Sequence, residues 1–173
     1  MSNRLRQFFM QYKFHTMALD EEFLKCHLDY KERALFDRLG KKEQNHSISV
    51  AKGLSEIKDL ENHNQLVKVG LLHDVGKSMR PLSIMEKGLF VVAHKVLKKK
   101  MKRLASFDGV ASYLYHGERG AEILRRHNVF KNQPLFYDVV KTHHWSEEIL
   151  IQKNRKEKFF IYHSQLKKID DQY

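Results

Sequence analysis

Two prolines in 173 residues leave this chain almost free of helix breakers, and apolar residues recur at intervals of three and four nearly throughout. That spacing puts apolar side chains on one face of a helix, so the chain reads as all-α. Hydrophobic residues make up 42% and aromatics 11%, enough to bury a core, and the length suits one domain. No internal repeat, low-complexity tract or linker interrupts the pattern.

The periodicity divides the chain into six or more helices. A short one is expected in "RLRQFFMQYKF" (4–14), and one or two in residues 20–39, with Gly40 as a stop. Over 42–60, His46, Val50, Leu54, Ile57 and Leu60 share a face. Asn64 is placed to cap the next helix and Gly76 to end it. "SIME" (83–86) reads as a capping box for the segment up to Leu104. Amphipathic helices follow over 109–127, from Pro134 to His144, and over 157–172.

The single cysteine, Cys26, excludes an internal disulfide and fits a reducing, cytoplasmic setting; its expected place is as a small buried hydrophobe. No run reaches the roughly 18 apolar residues of a membrane span, so no membrane partner is expected. The N-terminus lacks the small-residue cleavage site of a signal peptide. Net charge is +11, concentrated in "KVLKKKMKRL" (95–104) and "KNRKEK" (153–158). This balance favours anionic partners such as phosphates and nucleotides. Nucleic acid is the less favoured partner, because neither run carries aromatics for base stacking; a solvated helix face and a basic loop account for both.

Eleven histidines is a heavy load, and several fall on faces that should point inward. His46 lies on the apolar face of its helix. His73 and Asp74 end an apolar helix in "LLHDVGK" (71–77). His116 shares a face with Ile123, His143 and His144 close the helix from Pro134, and Asp170 shares a face with Phe159, His163 and Leu166. A lone buried histidine is satisfied by a carbonyl or a neighbouring side chain. Several helices that each bring such a group inward can be satisfied together by a divalent metal.

The ordered pattern H, HD, H, HH, D, running through "EQNHSISVA", "LLHDVGK", "YHGERGAEIL", "VVKTHHWSEE" and "LKKIDDQY", resembles the HD-domain metal-dependent phosphohydrolase superfamily. The resemblance spans residues 34–171, and residues 1–33 would form a helical extension packed on that core. It implies a single-domain helical bundle of the HD type around a metal site. The separate H and HH elements are similar to the HD-GYP branch. However, "WSEEILIQKN" after His144 lacks the Gly-Tyr-Pro signature, which weakens any inference to a cyclic dinucleotide substrate.

The resemblance implies two divalent ions, Fe or Mn first and Co, Ni, Zn or Mg as alternatives. One would be held by His46, His73, Asp74 and Asp170, the other by Asp74 as bridge with His116, His143 and His144. The activity implied is cleavage of a phosphomonoester or phosphodiester of a small phosphorylated or nucleotide substrate by a hydroxide between the metals. Asp74 and Lys77 are the catalytic candidates. Lys77 either contacts a phosphate oxygen or faces water at a helix end, and Arg80 is a further phosphate candidate. Asp171 is expected to be solvated, Gly120 to allow close helix packing, and His163 to support the ligands from behind. His94 is expected to pack or face solvent, and His127 is given no role; His15, His27 and His63 join no pattern. Two alternatives stay open: a di-iron oxygenase of the HD type, and a non-catalytic nucleotide- or RNA-binding HD module, which would be expected to have lost ligands.

Overall fold

The computed structural model describes residues 14, 16–58, 60–80, 84–104, 106–153 and 157–173, and within these every regular element is helical. The expected helix over 4–14 lies outside the described residues except for Phe14, as do His15, Ser83 of the capping box and part of the 153–158 run.

Helices α1 (Glu21–His27) and α2 (Tyr30–Phe36) are short and held by their caps. The Asp20 carboxylate accepts from the Phe23 N–H at 3.0 Å. Asp29 and Glu32 form a reciprocal capping box: Asp29 accepts from the Glu32 N–H and Glu32 accepts from the Asp29 N–H. Gly40 stops neither helix; it is the N-cap of α3 (Lys41–Ser55). Cys26 is exposed on α1, against the expectation of burial, because Leu24 and Leu28 supply the inward face.

α3 ends at Ser55, short of the expected residue 60. The Leu54 carbonyl accepts from the Ile57 N–H and from the His63 ring, so the chain turns there while Ile57 and Leu60 still pack on the core. α4 (His63–Leu72) begins one residue before Asn64, and the cap position falls to Asn62, whose left-handed backbone (φ 57°) turns the chain into the helix. α4 also ends earlier than Gly76. His73 follows its last residue, and a 3-10 turn, Val75–Met79, begins after Asp74.

α5 (Ile84–Leu97) and a second 3-10 segment (Lys98–Leu104) lead into α6 (Asp108–Arg126). α7 (Leu135–Thr142), α8 (Glu147–Gln152) and α9 (Glu157–Asp170) complete the chain. α3 packs along α4, α6 lies on α7 and on the Val75–Met79 turn, and α9 closes over α3, α4 and α7. Val50, Leu54, Leu66, Val69, Leu72, Val139, Val140 and Leu166 meet in the core they share, fully out of solvent. Each such side chain contributes about 1.5–3 kcal/mol by leaving water.

Two close approaches depend on glycine. A Cβ at Gly76 would stand 1.9 Å from the His116 carbonyl oxygen, and one at Gly117 would stand 2.7 Å from that of Lys141. Gly120 faces the Gly76 backbone in the same contact, as expected of a residue that permits close packing. These approaches bring the ends of α4 and α7 up to the middle of α6.

A histidine–aspartate cluster at the helix ends

The two polar residues that end α4 are both buried. His73 donates its Nδ1–H to the Gly70 carbonyl at 2.9 Å. His116 does the same to Tyr113 at 3.0 Å, and His143 to Val140 at 2.6 Å. In each case the partner is the carbonyl three residues earlier in the helix. The local bond fixes the tautomer, leaves Nε2 with its lone pair, and aims that nitrogen away from its own helix.

All three Nε2 atoms point at Asp74. Its Oδ1 lies 3.7 Å from Nε2 of His116 and 3.7 Å from Nε2 of His143. Its Oδ2 lies 3.5 Å from Nε2 of His73 and 4.0 Å from Nε2 of His46. Asp170 approaches from the end of α9, with Oδ1 2.9 Å from His46 Nε2 and 3.6 Å from His73 Nε2. His144 stands at the opposite rim, its Nε2 2.7 Å from that of His116. The ligand-type atoms fall into two groups, His46–His73–Asp170 and Asp74–His116–His143–His144, each within 4.8 Å of one another. The two oxygens of Asp74 face the two groups separately.

Nε2 of His73, Nε2 of His143 and Oδ1 of Asp74 are buried and make no hydrogen bond among the described residues. Leaving such an atom unmatched costs about 1–3 kcal/mol. Three of them around one small space, with lone pairs converging from imidazole and carboxylate, form a donor set that fits divalent cations.

Burial alone would raise the Asp74 carboxyl, but the Lys77 ammonium and the surrounding imidazoles outweigh it and hold the group well below the ordinary carboxylate range. Asp170 is likewise lowered against its burial, by the hydrogen bond with His46 and the nearby His73 imidazole. Burial would lower His73, yet the charges of Asp74 and Asp170 prevail and raise it. Across the cluster the balance reverses. Burial, helped by Lys77, lowers His116 to about 3, and burial with the neighbouring imidazoles lowers His144 too. Both stay neutral at ordinary pH, ready to give a lone pair.

Every residue of the expected ligand set therefore meets in one place. Lys77 is neither in open water nor free: its Nζ lies 2.5 Å from Asp74 Oδ2, with about a third of the side chain exposed. Burial would lower this ammonium, but Asp74 outweighs it and raises it. Arg80 turns to Glu86 at 2.9 Å, and its carbonyl accepts from Ser112. Asp171 is exposed and pairs with Lys167. His163 is buried and donates from Nε2 to the Thr142 carbonyl at 2.9 Å, bracing the turn that carries His143 and His144. His63 serves the end of α3 and His27 its own helix, through Phe23; His127 is exposed beyond α6, and the side chain of His94 lies outside the described residues.

Helical spacing gave no sign of the support around His46. Its ring meets Phe14 edge-on at 6.1 Å, and the neighbouring Asn45 donates to the carbonyls of Phe14 (2.8 Å) and Met17 (3.1 Å). These partners lie about thirty positions away in the chain, beyond any local periodicity.

A family model described as the HD domain matches residues 44–170. No curated protein and no solved structure matches the chain.

Proposed function

The chain belongs to the HD-domain family, a superfamily of the metal-dependent hydrolase type, and from that premise we propose that it hydrolyses a phosphate ester of a small phosphorylated or nucleotide substrate. One observation carries the reading: the two oxygens of a single buried carboxylate, Asp74, each address a separate set of ligand atoms. His46, His73 and Asp170 would hold one divalent cation. His116, His143 and His144 would hold another, with Asp74 shared between them. Bound there, two such ions acidify a water and neutralise charge on phosphoryl oxygens.

The chain's own residues do the rest. The Nδ1 bonds to Gly70, Tyr113 and Val140 keep three imidazoles oriented, so ligand geometry needs little reorganisation. Leu72 and Val75, which flank His73 and Asp74 in the chain, are fully buried and keep that turn out of water. Lys77 reaches Asp74 from the partly exposed side, where its ammonium can meet a phosphoryl oxygen as a point charge. The basic balance of the chain, +11, raises the local concentration of an anionic substrate.

The test is a phosphatase and nucleotide screen on protein loaded with Mn, Fe, Co or Ni, alongside elemental analysis. Metal-dependent phosphate release that disappears in Asp74→Asn supports the proposal. Protein that holds no metal under any loading condition refutes it. Oxygen consumption by an iron-loaded form without phosphate release would favour the oxygenase instead.

A further inference from the structure

α5 stands apart from the rest of the bundle. Among the described residues of Ile84–Leu104 only Met101 is buried, none joins the main core cluster, and the main packing partners of α5 are the 3-10 segment after it and α6. Its outer face is nevertheless apolar. Leu89 is 65% exposed, Val92 61% and Val96 74%. Positions i, i+3 and i+7 form one stripe along a helix, so three aliphatic side chains face water together. Phe107 (65%) and Met79 (62%) add exposed apolar surface at the two ends of the excursion. Scattered exposed leucines are ordinary, but an aligned stripe on an element outside the core signals a partner.

The charge beside the stripe identifies the kind of partner. From Lys95 to Leu104 the chain carries Lys95, Lys98, Lys99, Lys100, Lys102 and Arg103 and no acidic residue, and Lys100 and Arg103 are exposed. Two copies of this chain would bring like charges together at such a face, which opposes self-association. A nucleic acid would use the cations but leave the aliphatic stripe in water, since Leu and Val offer no stacking surface. An anionic lipid surface uses both: acyl chains take up the aliphatic side chains and headgroups neutralise the lysines.

We propose that α5 and the Lys98–Leu104 segment form a docking surface for an anionic membrane. No helix among the described residues is long and apolar enough to cross a bilayer, so the element lies on the surface rather than through it. In chain order the segment follows the turn that carries Lys77 and precedes α6, which carries His116. This surface does not depend on which reaction the cluster performs.

The full chain should float with vesicles of one part phosphatidylglycerol to three parts phosphatidylcholine, and about tenfold less with pure phosphatidylcholine. The pair Val92→Glu and Val96→Glu, and separately the pair Lys100→Glu and Arg103→Glu, should each reduce flotation about tenfold. All four positions are exposed, so helicity by circular dichroism and metal content should not change. Equal flotation on both vesicle types overturns the proposal, as does flotation indifferent to the valine substitutions. It also fails if the native chain ignores anionic vesicles, whether it binds an RNA oligonucleotide instead or forms a dimer that the valine substitutions dissolve.

Discussion

The two halves of the histidine–aspartate cluster are built from similar side chains in opposite electrostatic settings. His46, His73 and Asp170 surround one oxygen of Asp74 with a second carboxylate close by, and Asp74 and Asp170 together raise His73. His116, His143 and His144 crowd three imidazoles around the other oxygen, and burial among like groups lowers His116 and His144. One half is rich in negative charge and the other in neutral donors. Ligand chemistry alone does not fix how strongly a histidine competes for a proton; its neighbours do.

The comparison breaks most completely at Asp74, the one residue common to both halves. Asp74→Asn should empty both halves and cut phosphate release by about a thousandfold, read by elemental analysis and a phosphate assay. Substitutions on either side then separate the halves. His46→Ala should remove about one ion per chain and leave the other in place, and His116→Ala should do the converse. Loss of both ions from either variant would mean that the halves bind as one unit.

A smaller effect, on stability, comes from Gly76, which lets the Asp74 turn lie against α6. Gly76→Ala should cost about 3 kcal/mol in chemical denaturation, because the new methyl would meet the His116 carbonyl. Gly88→Ala on α5 meets nothing within 4 Å and should instead stabilise by about 0.5–1 kcal/mol.

The pH response is the finest test. In metal-free protein, an unfolded histidine takes up a proton below about pH 6.5, whereas folded His116 does so only near 3. Folding free energy contributed by His116 is therefore lost as pH falls through that window. His73 has the opposite sign: its raised value contributes stability below about pH 6.5 that is lost as pH rises through its folded value. Between about pH 6.5 and 4.5, His116→Gln should flatten the acid slope of stability, whereas His73→Gln should act only above about pH 6.5, where it removes a loss of stability with rising pH; urea midpoints across pH read both.

Much of the site was legible in the sequence because its ligand-type residues sit at helix ends or on inward faces, where apolar periodicity and a change of residue type coincide. His73 and Asp74 follow Leu71 and Leu72, and Asp170 shares the spacing of Phe159 and Leu166. The element boundaries were less legible. The end of α3 depends on His63 returning to the Leu54 carbonyl, and the start of α4 on a left-handed Asn62, neither of which leaves a periodic trace. Cys26 shows the same limit, since whether a small residue is buried depends on which neighbour takes the inward face.

The sequence by itself determined an all-helical chain and the residue types that would turn inward, because both follow from local spacing along one helix. Only the tertiary structure decided that Asp74 divides its oxygens between two groups, that Lys77 rests on Asp74 instead of facing open water, and that α5 leaves an aliphatic stripe outside the core. Those outcomes depend on distances between groups far apart in the chain, and such distances are set only when glycine-permitted approaches and core packing lock the helices together.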